Sequence, residues 1–181
     1  MNAPPSAVFL DRDGTIIRDI EYISRPDQVE LLDGAVEAIS RINAALVPVI
    51  VVTNQSGIGR GYFTEQEYHL VRERLAELLA ERGARIDATY HCPHRPEENC
   101  RCRKPGTLLY ERAEADFGID TQKALLIGDR LRDVEPAVRL GARGVLVPNS
   151  RTPAGEVERA GQIASVADSL STALDWYLCT N

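Results

Sequence analysis

The sequence predicts an α/β fold in which a central parallel β-sheet is flanked by helices. Short apolar runs alternate along the chain with stretches of helical periodicity. The apolar runs are continuous rather than interrupted by polar residues, which is typical of strands buried on both faces of a parallel sheet. Polar and charged residues follow these runs, and ligands of such sheets bind at the carboxyl ends of the strands.

The first half of the chain contains three predicted strands and two predicted helices. Asp33 is expected to cap the first helix, which carries an apolar stripe at helical spacing. Thr64 and Glu67 have the spacing of a capping box and open the second helix, for which Gly83 is the stop signal. The predicted strands are residues 7–10, 47–52 and 86–90.

The second half continues the alternation of strands and helices. We expect Pro105 to begin a helix that runs to Phe117, Asp133 to cap the next helix, and Ser165 to cap the last one. The polar residues 151–161 are expected to form a surface loop. The predicted strands of this half are residues 124–127 and 144–147.

Length and charge restrict the kind of protein. A chain of 181 residues is expected to form one domain over 1–181, and its net charge of −6 argues against nucleic-acid binding. The first six residues lack the basic and apolar parts of a signal peptide, and the longest aliphatic run, 47–52, is far too short to cross a bilayer. We therefore expect a cytoplasmic monomer with no membrane partner.

Two aspartates leave the end of the first predicted strand. Asp11 and Asp13 are two residues apart, so an extended backbone places both side chains on the same side. Like charges this close require a cation, and a divalent ion with oxygen ligands supplies it. One aspartate can then attack phosphorus while the other transfers a proton. The alternative interpretation is a polar turn at Gly14.

Polar residues also follow the second and fourth predicted strands. Thr53, Asn54 and Gln55 supply a hydroxyl group and two amides that suit phosphate oxygens, although a plain polar turn has the same composition. Arg60 is a candidate for a bidentate phosphate contact. Asp129 lies where a further metal-binding carboxylate is needed.

Three cysteines and a histidine crowd into the eleven residues 92–102. One nitrogen and three sulfur ligands form a closed tetrahedral set, which is typical of a structural Zn²⁺ site, and reduced surface cysteines are the alternative. The adjacent His91 is assigned no metal role, and the isolated Cys179 is expected to be inert. The predicted zinc ligands are Cys92, His94, Cys100 and Cys102.

A basic pair follows this loop directly. Lys104 can neutralise a phosphate and keep Asp11 ionised, with Arg103 beside it, whereas two solvated surface charges are the alternative. Asp133, whose oxygen the predicted helix cap occupies, is expected to lie behind the metal ligands.

Taken together, these segments resemble the haloacid-dehalogenase (HAD) phosphohydrolase superfamily. Its four motifs are matched in order by DRDGT at 11–15, VVTNQ at 51–55, RKP at 103–105 and GDRLRD at 128–133. The resemblance implies a Rossmann-like HAD fold. The short interval between the first two motifs leaves no room for a large cap domain.

Two segments resemble narrower families. The segment TNQSGIGRG at 53–61 is similar to the heptose-bisphosphate phosphatases, whereas the compact loop at 92–102 resembles the histidinol-phosphate phosphatases. The resemblance implies a Mg²⁺-dependent phosphomonoesterase with a structural Zn²⁺. The implied substrate is a sugar bisphosphate, heptose 1,7-bisphosphate cleaved at C7, with histidinol phosphate as the alternative.

The resemblance also implies a role for each matching residue. Asp11 is expected to form an aspartyl-phosphate, and Asp13 to act as the general acid and then to activate water. The implied Mg²⁺ ligands are the Asp11 carboxylate, the Asp13 carbonyl and Asp129, with help from the Arg130 backbone. The residues expected to bind the transferring phosphate are Thr53, Asn54, Gln55 and Lys104. Those expected to contact the rest of the substrate are Asp19 to Tyr22, Arg60, Arg103 and Arg130.

Two other functions fit parts of the pattern. A zinc-stabilised binding protein on an inactive phosphatase fold is disfavoured because both Asp11 and Asp13 are present. A nucleic-acid end phosphatase shares the first two motifs but requires a basic groove, which the net charge of −6 does not support.

Overall fold

Six parallel strands form one sheet in the structure, a computed structural model that describes residues 4–178. The spatial order is β3-β2-β1-β4-β5-β6, and every neighbouring pair is parallel. The predicted parallel sheet is therefore confirmed. The strands are β1 Val8–Leu10, β2 Val49–Asn54, β3 Ala88–Cys92, β4 Leu125–Gly128, β5 Arg143–Leu146 and β6 Ser165–Val166.

Seven α-helices accompany the strands in the described residues; six lie between strands, and the seventh follows the last strand. Three short 3₁₀ turns accompany them, at Pro26–Gln28, Pro96–Glu98 and Thr121–Lys123. Within residues 4–178, none of the helices is long and apolar enough to cross a membrane. The helices are α1 Ala35–Ala44, α2 Ser56–Gly59, α3 Glu65–Ala80, α4 Leu108–Phe117, α5 Leu131–Leu140, α6 Ala154–Ala160 and α7 Leu170–Asp175.

The sheet is buried on both faces. Along β1, Val8 and Leu10 belong to the core on one face and Phe9 to the core on the other, as the two-residue period of a strand requires. Helices α1, α3 and α7 cover the first face, and α4 and α5 cover the second. Each large apolar side chain buried in this way contributes about 1.5–3 kcal/mol, so both layers hold the strand ends in place.

The boundaries in the first half differ from the prediction in two respects. Strands β2 and β3 each begin and end two residues later than expected. Helix α1 is preceded by Gly34 with φ of +78° and no side-chain cap, so the prediction that Asp33 caps it was wrong. The capping box is confirmed, because the Thr64 hydroxyl accepts from the Glu67 N–H while the Glu67 carboxylate accepts from the Thr64 N–H.

The second half contains larger differences. Helix α4 begins at Leu108 rather than Pro105. The intervening Gly106 donates its N–H to the carbonyl of Arg103 and lies against the carbonyl of Arg101, where a Cβ atom would clash. Asp133 does not precede α5 but lies in its first turn, where its carboxylate accepts from the N–H of Arg130.

The C-terminal region was also predicted wrongly. Residues 151–161 contain helix α6 instead of a loop, and Ser165 begins the short strand β6. The last helix is capped by Ser169, whose hydroxyl accepts from the N–H of Thr172. Cys179 lies outside the described residues.

The central position of β1 determines where polar side chains meet. The chain runs outwards from β1 through β2 to β3, and then returns beside β1 with β4 before continuing to β5 and β6. Leu10 lies opposite Val51 and Ile127, so the residues that follow these three strands share one edge. This reversal of strand order is the usual ligand-binding position in such sheets.

Candidate active site

A buried cation lies between two buried carboxylates at this edge. The Nζ of Lys104 is 2.6 Å from Oδ1 of Asp11 and 2.8 Å from Oδ1 of Asp133, and it also donates to the carbonyl of Val52 at 2.6 Å. Burial opposes the charge of Lys104, but the two aspartates more than offset it and raise the pKa above its usual value. Lys104 is therefore a fixed positive charge against Asp11.

The pKa of Asp11 is raised to about 6. Burial is the main cause, Lys104 opposes it, and the nearby Asp133 and Asp13 add to the increase. Asp11 is 6% exposed and lines the cavity described below, so its carboxylate is accessible from one side.

Asp129 has a buried carboxylate oxygen without a partner among the described residues. Its Oδ2 accepts from Nδ2 of Asn149 at 2.9 Å, whereas Oδ1 has no hydrogen bond. Burial, followed by the charges of Asp11 and Asp133, raises the pKa of Asp129 to about 8. The carboxylates of Asp11, Asp129 and Asp133 each place an oxygen within 4.8 Å of the others, and Lys104 lies beside them. The excess of negative charge and the free oxygen fit a divalent hard cation.

Gly14 makes the approach of Asp129 possible. Its φ is +92°, and a Cβ atom there would lie 2.6 Å from Oδ2 of Asp129 and 2.9 Å from Nδ2 of Asn149. The same Asn149 amide donates to the carbonyl of Gly14 at 3.0 Å. A larger residue would displace the carboxylate.

The carboxylate of Asp13 is held separately from that of Asp11. Arg12, which is 2% exposed, donates to it from Nε and Nη2 at 3.0–3.2 Å, and its guanidinium lies over the ring of Tyr68. Gln55 donates to the other side of the carboxylate from Nε2 at 2.8 Å. Asp13 is thus oriented by two donors at the cavity wall.

The residues at the end of β2 contact two different parts of the site. Asn54 accepts from the backbone N–H of Lys104 at 3.0 Å and donates to its carbonyl at 3.2 Å, so it fixes the lysine backbone. The Thr53 hydroxyl accepts from Gln55 at 2.7 Å and lies 3.5 Å from Oδ2 of Asp13. Thr53 and Gln55 therefore face Asp13, whereas the Asn54 amide is engaged by Lys104.

A cavity of about 510 Å³ opens above these groups. Most of the predicted substrate residues line it, but two of their side chains are engaged: Arg130 forms a bidentate pair with Glu156, and Arg60 lies 3.6 Å from Glu97. The predicted site residues that line the cavity are Asp11, Asp13, Asp19, Tyr22, Thr53, Asn54, Gln55, Arg60, Arg103, Asp129 and Arg130.

The four predicted zinc ligands converge on one point. Five of the six pairs of Sγ and Nδ1 atoms are 3.2–3.6 Å apart, all four atoms lie within 4.8 Å of one another, and the three cysteines among the described residues are free thiols. Tetrahedral coordination with the usual Zn–S and Zn–N bonds requires separations of about 3.5–3.8 Å between ligand atoms. The set Cys92, His94, Cys100 and Cys102 therefore fits a closed metal site.

This cluster also positions the phosphate-facing segments. The carbonyl of Cys92 accepts from the N–H of Gln55 at 2.7 Å, and the carbonyl of Pro93 accepts from the N–H of Gly59 in α2. Arg103 donates to the carbonyl of His94 at 3.3 Å. The metal loop thus connects the end of β2 with the basic pair.

Three residues of the site were not assigned from the sequence: Arg12 orients Asp13, Asn149 fixes Asp129, and Arg132 lines the cavity. Asp133, which was expected behind the metal ligands, contacts Lys104 directly. A buried arginine has no distinctive pattern, but Asn149 follows β5 at the same sheet edge. Inspecting the end of every strand would have found it.

Comparison with known proteins agrees with this geometry. Residues 101–173 match the family described as HAD-hydrolase-like. The crystal structure of D,D-heptose 1,7-bisphosphate phosphatase from B. bronchiseptica, complexed with magnesium and phosphate, superposes with a TM-score of 0.85. That protein is 30% identical in sequence, and the match covers 95% of this chain and 98% of the other.

Two named relatives match over nearly the whole chain. The D-glycero-β-D-manno-heptose-1,7-bisphosphate 7-phosphatase of Photorhabdus laumondii is 37% identical over 173 residues, which is 90% of this chain and 92% of the relative. The enzyme of the same name from Escherichia coli K12 is 36% identical and covers 90% of each chain. The chain belongs to the family of the D-glycero-D-manno-heptose-1,7-bisphosphate 7-phosphatases, which are HAD-like phosphatases.

Proposed function

We propose that this chain hydrolyses the C7 phosphate of D-glycero-D-manno-heptose 1,7-bisphosphate, releasing inorganic phosphate and heptose 1-phosphate for heptose biosynthesis. The observation that carries the proposal is the pairing of Asp11 with buried Lys104 beside the free oxygen of Asp129. Relatives and a solved structure with this named activity support the choice of substrate.

Asp11 is proposed as the nucleophile. A carboxylate oxygen of Asp11 forms a bond to phosphorus as the bond from phosphorus to the C7 oxygen breaks, which gives an aspartyl-phosphate. Lys104 keeps Asp11 ionised and is close enough to neutralise the transferring phosphoryl group. Asn54 supports the lysine by binding its backbone on both sides.

Asp13 is proposed as the acid and base. It donates a proton to the departing C7 oxygen and then accepts one from the water that attacks the aspartyl-phosphate, which restores Asp11. Arg12 and Gln55 hold its carboxylate in one orientation for both steps. The Thr53 hydroxyl lies beside it, where it can bind a phosphate oxygen.

The cluster of carboxylates around Asp11 fits Mg²⁺, and the cluster of three cysteines and His94 fits Zn²⁺. The proposed Mg²⁺ ligands are the carboxylates of Asp11 and Asp129 and the carbonyl of Asp13. Asp133 is instead the second carboxylate that forms an ion pair with Lys104. When bound, Mg²⁺ neutralises the charge that develops on the phosphoryl oxygens. The proposed Zn²⁺ site is structural, because its four protein ligands leave no open position.

The remainder of the substrate is expected to lie in the cavity, against Asp19, Tyr22, Arg60 and Arg103. Tyr22 packs edge-to-face against Tyr62, with ring centroids 4.7 Å apart, and so presents a rigid apolar rim. We propose that residues 1–181 act as one domain without a large cap, since the six strands within residues 4–178 belong to one sheet.

Phosphate release from two substrates tests this function. The purified protein with Mg²⁺ is expected to hydrolyse heptose 1,7-bisphosphate at C7 with a kcat/KM at least about tenfold above that for histidinol phosphate. The Asp11→Asn variant, which removes the nucleophile and keeps the shape, is the control for contaminating phosphatase. Equal or faster hydrolysis of histidinol phosphate would overturn the choice of substrate.

A further inference from the structure

A buried arginine connects the cavity with helix α3. Arg12 is 2% exposed, and its Nε and Nη2 donate to the carboxylate of Asp13, whereas its Nη1 has no hydrogen-bond partner among the described residues. Because an arginine side chain stays protonated in proteins, Arg12 is a permanent positive charge. Its hydrogen bonds to Asp13 hold one edge of the guanidinium and leave the plane of the group to be fixed by other contacts.

The face of this guanidinium lies over the ring of Tyr68. The Cζ of Arg12 is 5.5 Å from the ring centroid, and Tyr68 is 1% exposed on the buried side of α3. An aromatic face attracts a cation, and the attraction is strongest when water is excluded from both groups. The Tyr68 hydroxyl is buried and has no hydrogen-bond partner among the described residues, so the ring, and not the hydroxyl, holds the arginine.

Two further residues hold the ring of Tyr68. The His91 ring packs against it, with centroids 4.2 Å apart and an angle of 36° between the planes. The Nε2 of His91 lies 3.0 Å from Oε2 of Glu65, so this pair joins strand β3 to the first residue of α3. His91 has no place in the adjacent cysteine cluster, and its ring is instead part of the packing that fixes Tyr68.

The direction of the Asp13 carboxylate depends on these contacts. The side chain of Asp13 is 23% exposed at the cavity wall, where Gln55 also donates to it at 2.8 Å. The position of Arg12 therefore sets the position of the carboxylate, and Tyr68 in turn sets the plane of Arg12. Tyr68 and His91 do not line the cavity, so they can influence the reaction only through Arg12.

We propose that Tyr68 is a positioning residue for proton transfer, whose ring holds Arg12 so that the Asp13 carboxylate faces the departing oxygen. This inference rests on the proposed function, in which Asp13 protonates that oxygen. Loss of the ring is expected to slow proton transfer selectively, because the contacts of Asp11 with Lys104 do not involve Tyr68. Misplacing a catalytic group by about 1 Å can cost about 100-fold in rate.

A comparison of two phosphate esters isolates the proton transfer. A sugar alkoxide leaves only with a proton, whereas p-nitrophenolate leaves without one, and kcat/KM reports the steps up to release of the leaving group. In Tyr68→Leu, kcat/KM is expected to fall about 10- to 100-fold for heptose 1,7-bisphosphate and less than about threefold for p-nitrophenyl phosphate. In Tyr68→Phe, which keeps the ring, both values are expected to stay within about twofold of the wild type.

Two other variants keep this test independent of stability. His91→Leu changes a less buried position and is expected to show the same selectivity with a loss of about two- to fivefold; it replaces Tyr68→Leu if that variant is unfolded. Leu79→Val, at a buried position of α3 outside the cavity, is expected to lower Tm but to leave the ratio of the two kcat/KM values unchanged. An equal loss for both esters in Tyr68→Leu, no loss for either, or the same selective loss in Tyr68→Phe overturns the inference.

Crystal structures of the wild type and of the folded variant separate this inference from the proposed function. If the wild-type protein hydrolyses neither ester, the proposed function fails, whereas an Asp13 carboxylate displaced by Tyr68→Leu would still support the positioning role. An Asp13 carboxylate that keeps its contacts with Arg12 and Gln55 in Tyr68→Leu overturns the positioning role, whichever ester is hydrolysed.

Discussion

Replacing Lys104 by methionine tests the electrostatic centre of the site. The chain contains two lysines, of which Lys104 is buried between Asp11 and Asp133 and Lys123 is exposed beside Asp120. Methionine keeps most of the apolar stem but leaves two buried carboxylates without their cation. Lys123→Met is the matched control, because its ion pair with Asp120 lies at the surface, where solvent screens the charges and such pairs contribute little to stability.

The expected loss of stability follows from this geometry. Removing one partner of a buried ion pair costs about 3–5 kcal/mol, because the remaining charge is uncompensated. For a chain of this length, each kcal/mol lowers Tm by about 2–4 °C, so the variant is expected to melt about 6–20 °C lower. Activity is expected to fall at least about 100-fold, since the charge that faces the transferring phosphoryl group is lost.

The pH dependence of this loss has a definite sign. The pKa of Asp11 is already raised to about 6, and loss of Lys104 raises it further. Below pH 6, Asp11 is protonated in both proteins, whereas above it the variant must either bury an unpaired charge or retain the proton. The destabilisation measured by urea unfolding without Mg²⁺ is therefore expected to be larger at pH 8 than at pH 5. A Lys104→Met protein within about 1 kcal/mol of the wild type at pH 8 would refute this reasoning.

Three further predictions concern the metal sites. Gly14→Ala is expected to weaken Mg²⁺ binding at least about tenfold, because the added Cβ meets the carboxylate of Asp129. The control Gly83→Ala also has a positive φ, but its Cβ meets no atom within 4 Å, so it should cost only about 1 kcal/mol of stability. Equal Mg²⁺ affinities in the two variants would contradict the clash. Mg²⁺ affinity, measured by calorimetry, is expected to rise between about pH 6 and about pH 8 as Asp11 and Asp129 lose protons, and a flat affinity profile would argue against carboxylate ligands. The metal-free protein is expected to lose stability as the pH rises from about 4 to about 8, because the pKa values of these two carboxyl groups are higher in the folded than in the unfolded state. Cys102→Ser is expected to reduce zinc below one per chain and to lower Tm, and a zinc-free wild-type protein with unchanged Tm would exclude a structural zinc.

The parallel sheet and the polar residues near the ends of β1, β2 and β4 were predictable from the sequence, although the bounds of β2 and β3 were displaced by two residues. Continuous apolar runs such as Val8–Leu10 can be accommodated only between two layers of helices, so the parallel arrangement follows. Once the strands are parallel, the residues after them share one edge, which brought Asp11, Thr53 and Asp129 together. The zinc ligands were predictable because sulfur and imidazole ligands cluster within a short loop.

The remaining features depend on a local backbone turn or on contacts that are distant in sequence. Gly34 replaces Asp33 as the start of α1 because the backbone enters through a left-handed turn, which no side-chain pattern shows. Helix α6 lies in a segment with proline and two glycines, and the Glu156 pair with Arg130 ties it to the start of α5. The roles of Asp133 and Asn149 follow from where α5 and the segment after β5 place them.

Trapping the phosphorylated enzyme tests the central claim most directly. Asp13→Asn keeps the nucleophile but removes the group that protonates the departing oxygen and then activates water. Heptose 1,7-bisphosphate with Mg²⁺ should therefore phosphorylate Asp11 slowly, and the phosphoryl group should remain there because its hydrolysis lacks a base. Mass spectrometry of the rapidly quenched protein is expected to find this added mass on the peptide that contains Asp11, and not in the double variant that also carries Asp11→Asn. Hydrolysis of the bisphosphate by Asp11→Asn at the wild-type rate, with no phosphorylated Asp11 in Asp13→Asn, would contradict the account.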